Sequence, residues 1–322
     1  MRTWLTERFG LTVPVVGAPM FGVGDGRLAA AISNAGGLGM IGVGATSTAA
    51  WVPEQCRVAA AAGRPYGVGL MAWALDLDET PFTAVREAAP VLVSIGFGDY
   101  QKYVAPLQQA GSVVATQVGN LAEAKRAEQA GVDVIVARGG EGGGHGRNDV
   151  ATLLLLQEVL DAVSLPVLAA GGIANARGLA AVIAAGAAGG WAGTAFLGCE
   201  ETVTQPAARE QLFSAVDTDT AYGRVFDIGQ RLGWPPEFGG RGLRNRFFDT
   251  WTGREDELAA DDDAMQELAA ARAAGDYDAA YLYTGQGVAM LHEPVPAAAV
   301  VAEFGRAAEV LAEVAARSLG MS

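Results

Sequence analysis

Between residue 13 and about residue 200 the chain repeats one unit: a short apolar run, a glycine-containing loop, an Ala-rich amphipathic stretch, then Gly or Pro before the next run. Eight runs can be read, at 14–19 (PVVGAP), 37–42 (GLGMIG), 66–70 (YGVGL), 91–96 (VLVSIG), 113–118 (VVATQV), 132–137 (VDVIVA), 166–171 (PVLAAG) and 187–197 (AAGGWAGTAFL). Helix candidates lie between them at 26–35, 47–62, 79–89, 99–110, 120–130, 149–163 and 176–185. Gly36, Gly63, Gly111, Gly131 and Gly186 stand where helices end, and Asn120, with Glu123 three residues on, is suited to start one. The runs are apolar throughout rather than alternating, as strands buried on both faces must be, so the sheet is parallel. Glycines and polar residues cluster just after the strand ends, where barrel enzymes keep their active sites. The expected fold class is therefore α/β, a (β/α)8 TIM barrel, with a doubly wound sheet as the alternative.

After residue 200 the rhythm changes. Residues 206–262 are rich in aromatics, Arg, Pro and Gly, and a polar segment and Gly-rich loop follow. This reads as a smaller, mainly helical second domain capping the catalytic face. The tail 297–318 has helical apolar spacing and is expected to be the last barrel helix. The division is thus 1–205 with 297–322 for the barrel, and 206–296 for a cap or substrate domain.

With 51% hydrophobic and 18% charged residues among 322, disorder is excluded as the main state. The balance of 22 basic against 36 acidic residues gives −14, and no Lys/Arg run offers a phosphate-backbone footprint, so nucleic acid is not an expected partner. The first residues, MRTWLTERFGL, lack the apolar core of a signal peptide, and no unpunctuated apolar stretch reaches the roughly 18 to 20 residues of a membrane span. A cytoplasmic protein without a membrane partner is expected. Two distant cysteines, Cys56 and Cys199, fit reduced thiols better than a disulfide framework or a metal site.

The strongest chemical signal is the pair of loops after the seventh and eighth runs, Gly171-Gly172-Ile173 and Gly193-Thr194. Barrels bind phosphate between these loops, because bare backbone N–H groups can approach its oxygens. The plainer reading is that the glycines only permit tight turns. After the sixth run, Arg138-Gly139-Gly140-Glu141-Gly142-Gly143-Gly144-His145 lets backbone lie flat against a ligand and sets one of only two histidines at the catalytic face. Near neutral pH that imidazole can serve as a general base or donate to an anion; a loop histidine capping a carbonyl is the alternative. His292 reads as structural or surface. Gln117, at the end of the fifth run, can pair with a heterocycle edge or simply bond the next loop. Ala18-Pro19-Met20 can contact a flat ring or plug the barrel top. The cap arginines Arg224, Arg231, Arg241, Arg244 and Arg246 can steer an anion or pair with neighbours such as Asp227, Glu237 and Asp249.

Taken together, GAPM (17–20), AISNAGGLGMIG (31–42), ATQVGNLAEAKRAEQAGVDVIVARGGEGGGHGR (115–147), LPVLAAGGIANARGLAAVIAAGA (165–187), GTAFL (193–197) and the later RVFD, GLRNRF, GREDEL and YTGQGV resemble the nitronate monooxygenase family over nearly the whole chain. The resemblance implies an FMN-dependent barrel that converts alkyl nitronates, or nitroalkanes, with O2 to a carbonyl compound and nitrite. It places the FMN phosphate on Gly171, Gly172, Gly193 and Thr194, with Trp191 and Ala192 just before them. Ala18, Pro19 and Met20 would contact the flavin, Gln117 would stand near its ring, and Gly143 and Gly144 would line the approach. The family's catalytic histidine corresponds to His145, which removes the α-proton of a neutral nitroalkane. Three positions depart from the family pattern: Gly69 stands where many members have Asn, Arg138 where a Gln is common, and Trp191 where Gln or Met is usual. The partners implied are a small anionic or nitro substrate and O2, with a homodimer left open. The chain also resembles FMN-dependent enoyl-acyl-carrier-protein reductases, which use NAD(P)H, and a phosphate-binding barrel without flavin is a further alternative.

Overall fold

The computed structural model describes residues 1–48 and 50–320. Strands β1 (Val15–Gly17), β2 (Leu38–Gly42), β3 (Tyr66–Met71), β4 (Leu92–Gly96), β5 (Val113–Val118) and β6 (Val134–Arg138) are followed by a short β7 (Gly144–Gly146), then β8 (Val167–Ala170) and β9 (Gly189–Ala192). All but β7 close one parallel barrel in the order β1-β2-β3-β4-β5-β6-β8-β9, with β9 pairing back to β1. This is the (β/α)8 architecture the alternation predicts.

The barrel interior is filled by Val16, Leu38, Met40, Leu92, Val113, Ala115, Val134, Val136, Leu168, Ala170 and Trp191. A helix at Trp4–Phe9, which the sequence reading did not single out, seals its N-terminal end with Leu5, whose side chain is fully buried. Because side chains alternate along a strand, the residues two beyond this inward layer also point inward at the opposite mouth. They include Ala18, Gln117, Arg138 and Gly193.

The outer strand faces bury Val15, Ile41, Val68, Val93, Ile95, Val114, Ile135 and Val167 against the surrounding helices. Five of these helices are followed by Gly36, Gly63, Gly111, Gly131 and Gly186, all with positive φ, as the sequence implied. Asn120 caps its helix by accepting from Glu123 N at 2.9 Å, but the Glu123 carboxylate returns one residue earlier, to Gly119 N. Two expectations need correction. The eighth run is a strand only over Gly189–Ala192, because Gly193 turns the chain into a 3-10 segment at Thr194–Phe196. The tail is two helices, Ala297–Gly305 and Ala307–Leu319, broken at Arg306, whose N–H turns back to Glu303 O. The first lies between Gly26–Asn34 and Ala176–Ala184 and closes the helical ring; the second lies outside Ala176–Ala184.

Helices at Pro206–Ser214, Val225–Gly229, Arg246–Trp251, Glu255–Ala259 and Asp262–Ala274 form the cap, around a separate core of Leu212, Phe226, Phe247, Phe248, Trp251, Leu258 and Leu268. The cap also contains β10 (Thr220–Gly223) and β11 (Gly239–Leu243), which join β7 in an antiparallel sheet ordered β10-β11-β7. The registers Gly223↔Gly240 and Gly240↔His145 stitch the cap to the glycine-rich barrel loop. No helix among the described residues is long and apolar enough to cross a membrane. Among them too, no cluster of His, Cys, Asp and Glu could hold a metal, and both cysteines are free and buried. Burial pushes the Cys199 thiol up to about 12.

Candidate active site

The loop after β8 turns on Gly171 and Gly172, at φ +103° and +69°, a backbone region that side chains resist. A Cβ at Gly171 would also overlap the Thr152 hydroxyl, which lies 2.8 Å from the Glu141 carboxylate and 3.0 Å from Gly171 O. The loop after β9 passes through Gly193 into Thr194. Among the described residues the amides of Gly172, Ile173, Thr194 and Ala195 have no hydrogen-bond partner. Two adjacent strand ends therefore present unspent N–H donors, the arrangement that receives a phosphate. The Thr194 hydroxyl also accepts from Gly285 N at 2.8 Å, fixing a cap loop beside this cradle.

On the floor, Ala18 N donates to Ala192 O at 2.8 Å, and Ala18 and Met20 flank Gly193. A side chain at Gly69 would overlap the Pro19 ring, so the proline explains why glycine stands there. Trp191 is buried within the barrel rather than lining its mouth. Gln117 donates from Nε2 to His145 O at 3.1 Å, while its amide oxygen has no protein partner among the described residues.

Arg138 is only 3% exposed and directs its guanidinium to the carbonyls of Gly142, Gly143, Gly144 and Arg147, at 2.5 to 3.1 Å. Its planar fork is the internal frame of the glycine-rich loop. Burial lowers it to about 10, which still leaves it charged at neutral pH. Gly143 is packed against Thr284 and Gly285 of the cap. Gly144, at φ +67°, faces open space and aims the next residue.

That residue is His145. Its Nε2 lies 2.7 Å from Asp227 Oδ1, and the two side chains are 10% and 1% exposed. The Trp234 ring stacks on the imidazole at 3.5 Å, inclined by 5°. Tyr283 donates its hydroxyl to the same Asp227 oxygen at 2.8 Å, and Gln230 Nε2 donates to the Tyr283 oxygen at 3.4 Å. Burial, and then the charge of Asp227, holds the Tyr283 phenol well above its ordinary value, so it acts as a neutral donor. Trp73, Phe97 and Phe238 continue the aromatic wall around Trp234.

The sequence reading missed Trp234 and Tyr283 and took Asp227 for a partner of cap arginines. Arg244 pairs with Asp249, as expected, while Arg246 pairs with Glu267 and Asp278, and Arg231 with Asp262. Arg241 donates to Gly140 O, Asn148 and Thr220. His292 is exposed, as expected.

The family model described as nitronate monooxygenase matches residues 2–90 and 79–306. A curated relative from Rhodococcus jostii, a (3aS,4S,5R,7aS)-5-hydroxy-7a-methyl-1-oxo-octahydro-1H-indene-4-carboxyl-CoA dehydrogenase, is 37% identical over 70% of this chain and 64% of its own length. The chain thus matches less than two thirds of that relative. FabK from Thermotoga maritima has TM-score 0.85 and 28% identity, covering 100% of both chains. A nitroalkane oxidase from Streptomyces ansochromogenes has TM-score 0.80 and 30% identity, over 95% of this chain and 99% of that one.

Proposed function

Since this chain belongs to the nitronate monooxygenase family, we propose that it oxidises alkyl nitronates, and nitroalkanes after proton removal, with O2 to a carbonyl compound and nitrite on bound FMN. The observation that carries this is the juxtaposition at one barrel mouth of two sets of unspent loop amides and a buried, oriented imidazole. The amides around Gly171, Gly172, Gly193 and Thr194 suit the dianionic phosphate of FMN, and the nearby Glu141 carboxylate is held by Thr152 N and Oγ1. Ala18, Pro19, Met20 and Gly69 offer the ring a flat apolar surface, and the free Gln117 oxygen can accept from a ring N–H. FMN supplies the electron transfer and the reaction with O2. His145 takes the α-proton of a neutral nitroalkane, a step that a nitronate does not require. The Trp234 wall excludes water from that proton transfer. In this assignment 1–205 with 297–322 hold the cofactor, and 206–296 form the substrate side.

A second reading, an NAD(P)H-linked oxidoreductase of acyl thioesters, is favoured by the acyl-CoA dehydrogenase relative. Aerobic incubation of the FMN-loaded protein with propionate-3-nitronate, following nitrite and oxygen, tests the first reading. Nitrite release with oxygen consumption supports it. No turnover of nitronate, together with NADPH oxidation driven by an enoyl thioester, replaces it with the second.

A further inference from the structure

We propose that Asp227, itself held by Tyr283, is a positioning residue that keeps His145 in the tautomer protonated at Nε2, so that Nδ1 is the ring nitrogen presented to substrate. The inference deepens the proposed function and rests on its reading of His145 as the group that meets substrate. It starts from the direction of the hydrogen bonds. Gln230 Nε2–H donates to the Tyr283 oxygen, which commits the phenol proton to Asp227 Oδ1 at 2.8 Å. The same oxygen lies 2.7 Å from His145 Nε2. A carboxylate can only accept, so Nε2 must be the protonated nitrogen. A bare Nε2 would set two acceptor lone pairs against each other in a site where Asp227 is 1% exposed.

The surroundings leave room for this convergence. Gly240 lies opposite His145 in β11, and a Cβ there would crowd Tyr283 and stand 3.3 Å from Nε2. Asp227 Oδ2 is buried with no partner among the described residues, so no other donor draws the carboxylate away from the ring and the phenol. Trp234 fixes the plane of the imidazole by stacking, and Gln117 holds its backbone carbonyl. Asp227 from Val225–Gly229 and the Tyr283 phenol contact the ring, and Arg224 donates to the backbone carbonyl of the stacked Trp234 at 3.5 Å; Trp234, Gly240 and Gln117 carry no charge, and the Arg138 guanidinium is turned to the loop carbonyls. The hydrogen bond at one imidazole nitrogen determines which state the other adopts.

Only two histidines occur in the chain, so 15N-histidine NMR of the FMN-loaded protein reads the tautomer directly, with His292→Gln identifying the second ring. The expected wild-type spectrum has an exchange-protected proton on Nε2 of His145, with Nδ1 bare in the neutral ring. Asp227→Ala removes the acceptor and should lose that protection and lower kcat for a nitroalkane about ten- to a hundredfold, with KM changed by less than about threefold. Tyr283→Phe keeps the volume and should accelerate exchange of the Nε2 proton, which preserves the test if Asp227→Ala does not fold. A proton found on Nδ1 with Nε2 bare, or an Nε2 signal unchanged in both variants, overturns the proposal. If His145→Gln retains full activity with a neutral nitroalkane while the wild-type tautomer is as expected, the catalytic reading of His145 fails instead.

Discussion

The loop cradle at β8 and β9 and the His145 cluster lie at the same barrel mouth, yet they are built in opposite ways. The cradle is made of backbone: consecutive residues, two left-handed glycines and amides left unspent by the turn. The cluster is made of side chains gathered from afar, with Asp227 82 residues from His145 along the chain and Tyr283 a further 56. A backbone site can be written into a short motif, because the turn itself makes the donors. A side-chain site exists only when the cap has folded onto the barrel, and β7 is the seam that brings this about.

Three substitutions probe that difference. The largest expected effect is at His145: His145→Gln should lower turnover of a neutral nitroalkane about 10²- to 10⁴-fold while FMN binding, held by the cradle, is unchanged. Equal losses with nitronate and nitroalkane would break the separation of the two regions. Next is Arg138→Met, which strands four loop carbonyls in a buried site. It should cost about 3 to 5 kcal/mol of stability in urea unfolding, since the guanidinium frames the loop from which β7 emerges. A normal unfolding midpoint would show that the cap alone holds β7. The smallest is Gly171→Ala, where left-handed backbone costs about 1 to 2 kcal/mol and a Cβ crowds Thr152. FMN affinity should fall about tenfold or more, with the stacked His145–Trp234 pair intact by near-ultraviolet circular dichroism. Unchanged affinity would remove the phosphate role from that loop.

The barrel was legible because each strand and helix announces itself locally, through continuous apolar runs and glycines that end helices. Gln117 and Arg138 were legible as strand-end residues from their place after the apolar runs, but not what they bond. The GHG of β7 carries no strand propensity, since pairing with β11 decides its conformation. The split of the tail at Arg306 was hidden because apolar spacing continues across it. Asp227 was misread for a physical reason: an acidic residue three positions from an arginine reads as an ion pair until the fold shows which donors it faces. Trp234, in a Pro- and Gly-rich segment, had no periodicity to place it.

The central claim is tested most directly by the anaerobic absorbance spectrum of the FMN-loaded protein, before and after propionate-3-nitronate and, separately, NADPH. The account predicts that nitronate alone diminishes the oxidised-flavin bands and that NADPH leaves them unchanged. Bleaching by NADPH with no response to nitronate, or failure to retain any flavin after incubation with FMN, would contradict it.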